Sequence, residues 1–289
     1  MKILFIGTGL MGAPMAQKLL ESGHDVTVYN RDIKKAEALK SFGAKIEESL
    51  KTAFSGIDII VFMVSDYNAI RSLLDCINKK DLMGKTVIQM STISPKENIM
   101  LENELNGIGC NFMEAPVLGS ISQIQQKTLI VLVGSSAPLF ELHKDLFTSF
   151  SNRIDHVGGV GKASALKLGL NQLIIGLTSV FTMSLGFIRE NNIDINLFMD
   201  IVRQSALYAP TFDKKLNNYL ERDFSNPNFP LKHLLKDLNL IEAAFSEKNI
   251  NTETLKGIRI ILQESVNSGM GDLDYSALYN TVHKNPSET

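Results

Sequence analysis

A glycine-rich loop near the N-terminus is the first feature of this 289-residue chain whose spacing indicates chemistry. It fits G-x-G-x-x-G, and it follows a short apolar run and opens a helical pattern, which is the context that makes this motif informative. Its glycines permit a tight turn, a close approach of the backbone to a pyrophosphate, and close helix packing. The helix N-terminus then offers free N–H groups to phosphates. The alternative is a purely structural turn. We predict a dinucleotide site at Gly7, Thr8, Gly9, Leu10, Met11 and Gly12.

The end of the second predicted strand indicates which ribose is bound. An NAD site usually has an acidic residue there, which holds the 2′-hydroxyl. This chain has Asn30 and Arg31 instead. A guanidinium can pair with a 2′-phosphate, and Asn30 removes the carboxylate that would repel it. We therefore predict that NADP(H) is preferred and that NAD(H) remains possible, because Asp32 could still reach a ribose and Arg31 could be a solvated loop charge.

A single lysine interrupts an apolar stretch in the middle of the chain. Lys167 lies within the run 163–170, just after a glycine-rich segment, and burying its charge without a purpose would be costly. Reduction of a carbonyl needs a hydride for carbon and a positioned acid for oxygen. An ammonium can protonate the developing alkoxide and stabilise its charge. Asn171 lies four residues further on, on the same helix face. The alternative is a lysine that reaches water beside a core amide.

The elements that must position these residues begin with an alternation of strands and helices. Such an alternation predicts a mostly parallel sheet with right-handed crossovers. The run 57–64 is almost continuously apolar, as expected of a strand buried on both faces. Predicted strands cover residues 2–6, 25–29, 57–64, 86–90, 111–114 and 129–133, and predicted helices cover 11–22 and 33–42.

After about residue 161 the pattern becomes helical only. Strand-like runs stop and glycines interrupt the segment 156–161. We predict a Rossmann-type α/β domain, doubly wound around a mostly parallel sheet, over 1–161 and an all-helical domain over 162–289. Helical periodicity covers residues 168–190, 195–204, 232–246 and 252–268.

Composition and charge argue against several other classes of protein. The net charge is -2, with no basic tail, so we expect no nucleic acid partner. The N-terminal apolar run is too short for a signal peptide, so we expect a cytoplasmic protein. Cys76 and Cys110 lie in no metal-ligand cluster and are predicted to be reduced and buried, with no metal site.

A long apolar segment, 168–188, has the length of a membrane span. Polar and small residues interrupt it, including Asn171, Gln172 and Thr178, and no cluster of lysine or arginine flanks one end. We interpret it as a buried central helix rather than a membrane span. A helix of this kind also favours a homodimer or homotetramer.

The whole chain resembles the β-hydroxyacid dehydrogenase family, which includes 3-hydroxyisobutyrate dehydrogenase, tartronate semialdehyde reductase and the glyoxylate and succinic semialdehyde reductases. The resemblance rests on blocks spread over nearly the full length, so it is specific. It implies a 6-phosphogluconate dehydrogenase-like fold, with Lys167 and Asn171 as catalytic residues. The blocks are FIGTGLMGAPMA (5–16), EAPVLGS (114–120), GGVGKASALKLGLN (158–171) and KDLNL (236–240).

The resemblance also assigns residues outside the two glycine-rich blocks. Ser91-Thr92 matches a turn beside the nicotinamide ribose, with Ser91 towards substrate and Thr92 towards cofactor. Met63-Val64 matches a dipeptide that contacts the cofactor through its backbone. Lys236 matches a lysine that reaches cofactor or substrate, whereas Asp237 is expected to orient its neighbours.

The substrate block departs from the family pattern, which is Asp-Ala-Pro-Val-Ser-Gly-Gly. Leu118 replaces the serine that helps to bind a substrate carboxylate, and Ser120 replaces the last glycine. Carboxylate binding is therefore expected from the N–H groups of Gly119 and Ser120, from the Ser120 hydroxyl, or from Asn171. Glu114 and Ser120 are typical of the glyoxylate and succinic semialdehyde reductase branch.

The sequence thus predicts an NADP(H)-dependent enzyme that interconverts a small β-hydroxy acid, or a related short hydroxy acid, with its semialdehyde or oxo acid. The nearest alternative is an imine reductase, a related family that commonly lacks the lysine. The other alternative is a non-catalytic NADP-binding module, because the family includes a chromatin-associated protein whose dehydrogenase domain has lost this lysine. Lys167 argues against both alternatives.

Overall fold

A nine-stranded sheet organises the N-terminal part of the chain in a computed structural model that describes residues 1–51 and 53–284. Strands β3-β2-β1-β4-β5-β6 lie in that order and are parallel, β8 is antiparallel to β6 and β7, and β9 is parallel to β8. The strands are β1 (Lys2–Ile6), β2 (Asp25–Tyr29), β3 (Lys45–Glu47), β4 (Ile59–Phe62), β5 (Thr86–Gln89), β6 (Asn111–Glu114), β7 (Val117–Leu118), β8 (Leu129–Gly134) and β9 (Ser151–Gly158).

Both faces of this sheet are buried. In β1, Ile3 and Phe5 join one hydrophobic core, while Leu4 and Ile6 join the core on the opposite face. Every residue of β4 is buried, which confirms the interpretation of the apolar run 57–64. The doubly wound α/β fold expected from the sequence is therefore confirmed.

Six α-helices pack in the part of this unit that the structure describes. Several begin at side-chain caps: Asp66 accepts a hydrogen bond from the Ala69 N–H at 2.8 Å, and Ser94 forms a capping box with Glu97. The sequence analysis located the first two helices, although the second ends at Glu37 and a separate 3-10 turn covers Lys40–Phe42. The helices are α1 (Gly12–Glu21), α2 (Ile33–Glu37), α3 (Tyr67–Asp75), α4 (Pro95–Asn106), α5 (Ile121–Gln125) and α6 (Ala137–Phe147).

The strand order reverses direction between β1 and β4. β1 pairs with β2 on one side and with β4 on the other, in parallel register, so that Ile6 lies opposite Phe62. In open α/β sheets, ligands bind beyond the carboxyl ends of the strands at such a reversal. The glycine loop directly follows β1 and therefore lies at this position.

The chain divides into two compact units after Leu168, inside the long helix α7 (Lys162–Glu190). The boundary predicted from the sequence lies between residues 161 and 162, directly before α7 begins. The second unit is helical throughout its described residues, with a π-helical turn at Val266–Met270 and a 3-10 turn at Tyr275–Leu278. Its remaining helices are α8 (Ile195–Arg203), α9 (Pro210–Glu221), α10 (Leu231–Ser246), α11 (Glu253–Ser265) and α12 (Tyr279–Val282).

A buried ion pair lies in the core of the helical unit. The Lys215 ammonium is 2.7 Å from the Asp274 carboxylate, and both side chains are almost fully buried. Asp274 also accepts hydrogen bonds from the N–H groups of Asn228 and Ser276. The charges are thus compensated on both sides, and the pair joins α9 to the segment before α12.

One face of α7 is exposed, which corrects the expectation of a buried central helix, because only its other face is buried. Leu173, Val180, Met183 and Phe187 are each more than half exposed, whereas Ile175 and Leu185 are fully buried. By length and composition alone α7 could cross a membrane, with 44% of its most apolar window buried, but the core helix of a soluble protein passes the same test.

The two cysteines occupy different environments. Cys110 is buried, and burial raises the pKa of its thiol to about 11. Cys76, predicted to be buried, is instead exposed because it caps the solvent-facing end of α3. Among residues 1–51 and 53–284, no group of three or more His, Cys, Asp or Glu side chains is arranged to hold a metal ion.

Candidate active site

The glycine loop depends on close contacts between backbone segments. Gly7 has a φ of 102°, and a Cβ there would collide with the Met63 carbonyl, which follows β4. A Cβ on Gly12 would collide with the carbonyl oxygen of Gly7. Both positions therefore require glycine, and α1 can begin directly against the sheet edge.

The loop has the features that a dinucleotide pyrophosphate needs. A Cβ on Gly9 would meet no atom of the protein within 4 Å. Glycine is therefore not needed there for packing, but it keeps the space beside the loop open. The Thr8 hydroxyl is buried and has no hydrogen-bond partner among the described residues. Met11 caps α1 without a side-chain hydrogen bond, whereas the Ala13 N–H already donates to the Gly9 carbonyl at 3.0 Å and Pro14 has no N–H. The Thr8 hydroxyl and the positive end of the α1 dipole fit the phosphates of a dinucleotide.

Asn30 and Asp32 both form local hydrogen bonds at the end of β2. The Asn30 amide oxygen accepts from the Thr8 N–H at 3.1 Å, and its nitrogen donates to the Asp32 carbonyl at 2.8 Å. Asn30 therefore fastens the glycine loop to β2, a role the sequence analysis did not assign. The Asp32 carboxylate caps α2 by accepting from the Lys34 N–H, while Arg31 is exposed. The acidic side chain is thus engaged by α2.

Beyond β4 and β5, a network of buried amides shapes the turn that contains Ser91. The Ser91 hydroxyl accepts from the Val64 N–H at 2.9 Å, which joins two segments predicted to contact the cofactor. Gln89 accepts from the Ser91 N–H and donates to the Asn98 amide oxygen at 2.9 Å. Gln89 and Asn98 are fully buried, and the sequence analysis missed them. An amide at the end of an apolar strand was the available signal.

The loop after β6 carries the predicted substrate-binding residues. Gly119 has a φ of 138°, and a Cβ there would lie 2.7 Å from a methyl group of Leu129. Both the N–H and the hydroxyl of Ser120 donate to the Gln123 amide oxygen, at 2.9 and 2.6 Å. Gln123 therefore occupies the two donors of Ser120 that the sequence analysis offered to a carboxylate. Leu118, at the end of β7, is half-buried.

Lys167 is buried on α7, with 8% of its surface exposed. The start of this helix is held by Glu114, whose Oε1 accepts from the N–H groups of Gly161 and Ala163 at 2.7 and 2.9 Å. Lys167 lies one helical turn beyond Ala163. A general acid can be placed at a fixed position in this way.

In the helical unit, Asn171 and Asp237 form a buried pair. The Asn171 amide nitrogen donates to Asp237 at 2.6 Å, and the Lys236 ammonium lies 3.0 Å from the other carboxylate oxygen. This arrangement fixes the Asn171 amide, so that its oxygen faces away from the carboxylate. α7 carries Asn171 one turn after Lys167, as the spacing predicted.

Two family models cover almost the whole chain. Residues 2–158 match the NAD-binding domain of 6-phosphogluconate dehydrogenase. Residues 161–282 match the NAD-binding domain of NADP-dependent 3-hydroxyisobutyrate dehydrogenase.

Similar proteins are named as oxidoreductases. The chain is 28% identical to glyoxylate/succinic semialdehyde reductase 1 of Arabidopsis thaliana, over 98% of each chain. It is 30% identical to 2-hydroxy-3-oxopropionate reductase of Escherichia coli, over 96% of each. Its fold is similar to that of 3-hydroxyisobutyrate dehydrogenase of Mycobacterium tuberculosis (TM-score 0.86, 20% identity, 97% and 98% covered). An NADP⁺ complex of an imine reductase from Myxococcus stipitatus is also similar (TM-score 0.68, 25% identity, 98% and 100% covered).

Two glycine variants should separate cofactor binding from folding. Gly9→Ala places a methyl group where the pyrophosphate would approach, yet touches no atom of the protein. We expect NADP(H) binding to weaken about tenfold or more, about 1.4 kcal/mol, with an unchanged melting temperature. Gly12→Ala collides with the backbone of Gly7, so it should lower both the cofactor affinity and the melting temperature. Fluorescence titration and calorimetry measure the two quantities, and normal binding by Gly9→Ala would contradict the assignment.

Proposed function

Because this chain belongs to the β-hydroxyacid dehydrogenase family, we propose that it uses NADP(H) to interconvert a small β-hydroxy acid, or a related short hydroxy acid, with its semialdehyde or oxo acid. Membership of this family makes it an NAD(P)-dependent oxidoreductase. The observation that carries the proposed reaction is the buried Lys167 in the second turn of α7.

In the proposed reaction, Lys167 moves the proton. When bound, the nicotinamide cofactor supplies or accepts the hydride. In reduction, the Lys167 ammonium donates its proton to the carbonyl oxygen, and in oxidation the neutral amine takes the proton from the hydroxyl. Asn171, held by Asp237, is proposed to bind the reacting oxygen or the substrate.

The proposed preference for NADP(H) rests on Arg31 and Asp32 together. The Asp32 carboxylate caps α2, so the acidic group that complicated the sequence interpretation is occupied. Arg31 is exposed beside it and can pair with the two oxygens of a 2′-phosphate. Lys236 remains a predicted cofactor residue.

The proposed substrate is a short acid of the kind that the names of the relatives indicate. Those names include glyoxylate, succinic semialdehyde and 2-hydroxy-3-oxopropionate. With Leu118 at the usual serine position and Ser120 bonded to Gln123, the loop offers fewer donors to a carboxylate than the family pattern. We therefore expect turnover to vary strongly across a panel of these acids.

The two alternative functions receive less support. A structural likeness to an imine reductase exists, and relatives include nuclear proteins named N-PAC. The chain spans about half the length of those nuclear proteins. Lys167 favours the hydroxy acid reaction over both. A cytoplasmic location and the absence of nucleic acid and membrane partners remain predictions.

We further propose that two copies of the chain associate through α7. Leu173, Val180 and Phe187 recur every seven residues on its exposed face. That spacing is typical of a helix that packs against another helix. We call these three residues the α7 stripe. A second copy of the chain has the same stripe, so a two-fold dimer buries the stripes of both copies, and pairing of dimers would give a tetramer.

Removing Arg31 should affect one cofactor only. Arg31→Ala deletes the partner of the 2′-phosphate, so NADPH binding should weaken by about 1.5–3 kcal/mol while NADH binding stays nearly constant. Lys40→Ala, which removes another exposed cation from the same unit, serves as the control. An equal effect of Arg31→Ala on both cofactors would show that the arginine does not bind the 2′-phosphate.

Removing Lys167 should abolish proton transfer and spare cofactor binding. General acid catalysis typically contributes about 10²–10⁴-fold, so Lys167→Ala should lower kcat by that order, with near-normal NADPH binding. Lys167→Arg should not restore activity, because a guanidinium hardly releases a proton. Single-turnover hydride transfer and the melting temperature are measured on one preparation. A folded variant with undiminished turnover would rule out this mechanism.

A charge within the α7 stripe should disrupt the dimer. Val180→Glu places a carboxylate in the proposed interface, so the mass measured by light scattering should fall to that of one chain. Leu142→Glu, at an exposed apolar position on α6, is the matched control and should leave the mass unchanged. A wild-type protein that already has the mass of one chain would contradict the proposal.

A further inference from the structure

Glu114 is a buried carboxyl with an unusual set of partners. It is the last residue of β6 and is fully buried. A single oxygen, Oε1, accepts from three backbone N–H groups at the start of α7, those of Gly161, Ala163 and Ser164, at 2.7, 2.9 and 3.3 Å. These N–H groups have no partner within the helix, and the positive end of its dipole favours an acidic group there.

The second oxygen makes this carboxyl expensive to bury. Glu114 Oε2 is buried and has no hydrogen-bond partner among the described residues. Burial raises the pKa of this group, against the lowering effects of the Ser164 side chain and of the backbone N–H donors. A buried polar atom without a partner costs about 1–3 kcal/mol. A serine or threonine could cap the helix without that cost, so the cap alone does not account for Glu114.

Another part of the chain is shaped to receive this carboxyl. Gly134 ends β8 beside Glu114, and a Cβ there would collide with Oε1 and lie 2.8 Å from Cγ and 2.9 Å from Cδ. The φ of Gly134 is not positive, so its backbone conformation is one that any residue can adopt. The space for the carboxyl is therefore the reason for a glycine at this position.

Glu114 also lies where two functional segments meet. The loop carrying Leu118 and Ser120 starts directly after it, and the helix it holds carries Lys167. Lys167 lies four residues after Ala163 and three after Ser164, about one helical turn beyond the two anchored N–H groups of α7. A displacement of the anchor would move Lys167 directly.

We propose that Glu114 is a positioning residue, which fixes the proton-donating Lys167 relative to the substrate loop through the first turn of α7. This inference rests on the proposed role of Lys167 in proton transfer. Displacing a catalytic group by about 1 Å can cost about 100-fold in rate. The carboxyl acts as a hydrogen-bond acceptor, and no proton passes through it.

Two substitutions separate positioning from a role of the charge. Glu114→Ala removes the acceptor, so kcat should fall about 10- to 100-fold. NADPH affinity should stay within about twofold, because the glycine loop is unchanged. Glu114→Gln retains Oε1 as an acceptor and should keep kcat within about fivefold of wild type. A Glu114→Gln enzyme as slow as Glu114→Ala would overturn the proposal, because the charge would then be required.

A double-mutant cycle tests whether Glu114 acts through Lys167. In the Lys167→Ala background, the proton donor is already absent, so adding Glu114→Ala should lower the residual kcat by less than about twofold. A structural role alone would lower kcat in both backgrounds equally, which would overturn the inference. If Lys167→Ala alone keeps full activity, the proposed function itself fails. If only Glu114→Ala keeps full activity, the inference alone fails.

Gly134 provides a variant that keeps the cycle informative if Glu114→Ala does not fold. Gly134→Ala should lower kcat by pushing the carboxyl away from α7. Glu114→Asp shortens the side chain by one methylene group, so it should make room for the new methyl group, and the double variant should be faster than Gly134→Ala alone. Asp194→Ala, which removes a carboxylate cap from α8, is the control and should leave kcat unchanged. If the effects of Gly134→Ala and Glu114→Asp on kcat are strictly additive, the proposed fit between Gly134 and the Glu114 carboxyl is contradicted.

Discussion

The Met63 carbonyl lies so close to the α-carbon of Gly7 that no side chain fits between them, and the cofactor edge depends on this approach. It follows from the parallel pairing of β1 and β4, which starts both loops at the same level of the sheet. Gly12 repeats the constraint at the first residue of α1, against the Gly7 carbonyl. Together they bring the N-terminus of α1 to the edge, where the Thr8 hydroxyl and the positive end of the helix dipole can meet phosphates.

Two sites of buried charge differ in how their polar atoms are satisfied. Lys215 and Asp274 satisfy each other, with further donors to the carboxylate, and lie in a part of the helical unit to which no site residue is assigned. A pair of this kind contributes to the structure of its own core. Glu114, by contrast, keeps an oxygen without a partner and faces the helix that carries Lys167. If α7 needed only a cap, a small polar residue at its N-terminus would be enough. The cost of burying the unpartnered oxygen of Glu114 therefore points to a function.

Much of this arrangement could be predicted from sequence, because apolar runs and glycine spacing are local signals. The doubly wound fold and the helices α7, α8, α10 and α11 were found in this way, whereas α9 and α12 were not predicted. β3 and β9 were not, because they are short or half-exposed and lack a continuous apolar run. The caps of α3 and α4, Asp66 and Ser94, were visible signals that were not used. The hydrogen bonds of Asn30 and Gln123 depend on turn dihedral angles, which no residue pattern specifies.

The substrate loop shows how such local bonds bear on specificity. Ser120 was expected to offer a carboxylate its N–H and its hydroxyl, yet the Gln123 amide oxygen accepts from both. A substrate carboxylate would have to replace an amide already at hydrogen-bond distance, which removes most of the gain from a new hydrogen bond. Leu118 adds no donor to compensate. Among the loop donors proposed from sequence, only the Gly119 N–H is then left without competition from Gln123. For the proposed short-acid substrates, we therefore expect selectivity to depend on Gln123 as much as on the replacement at Leu118.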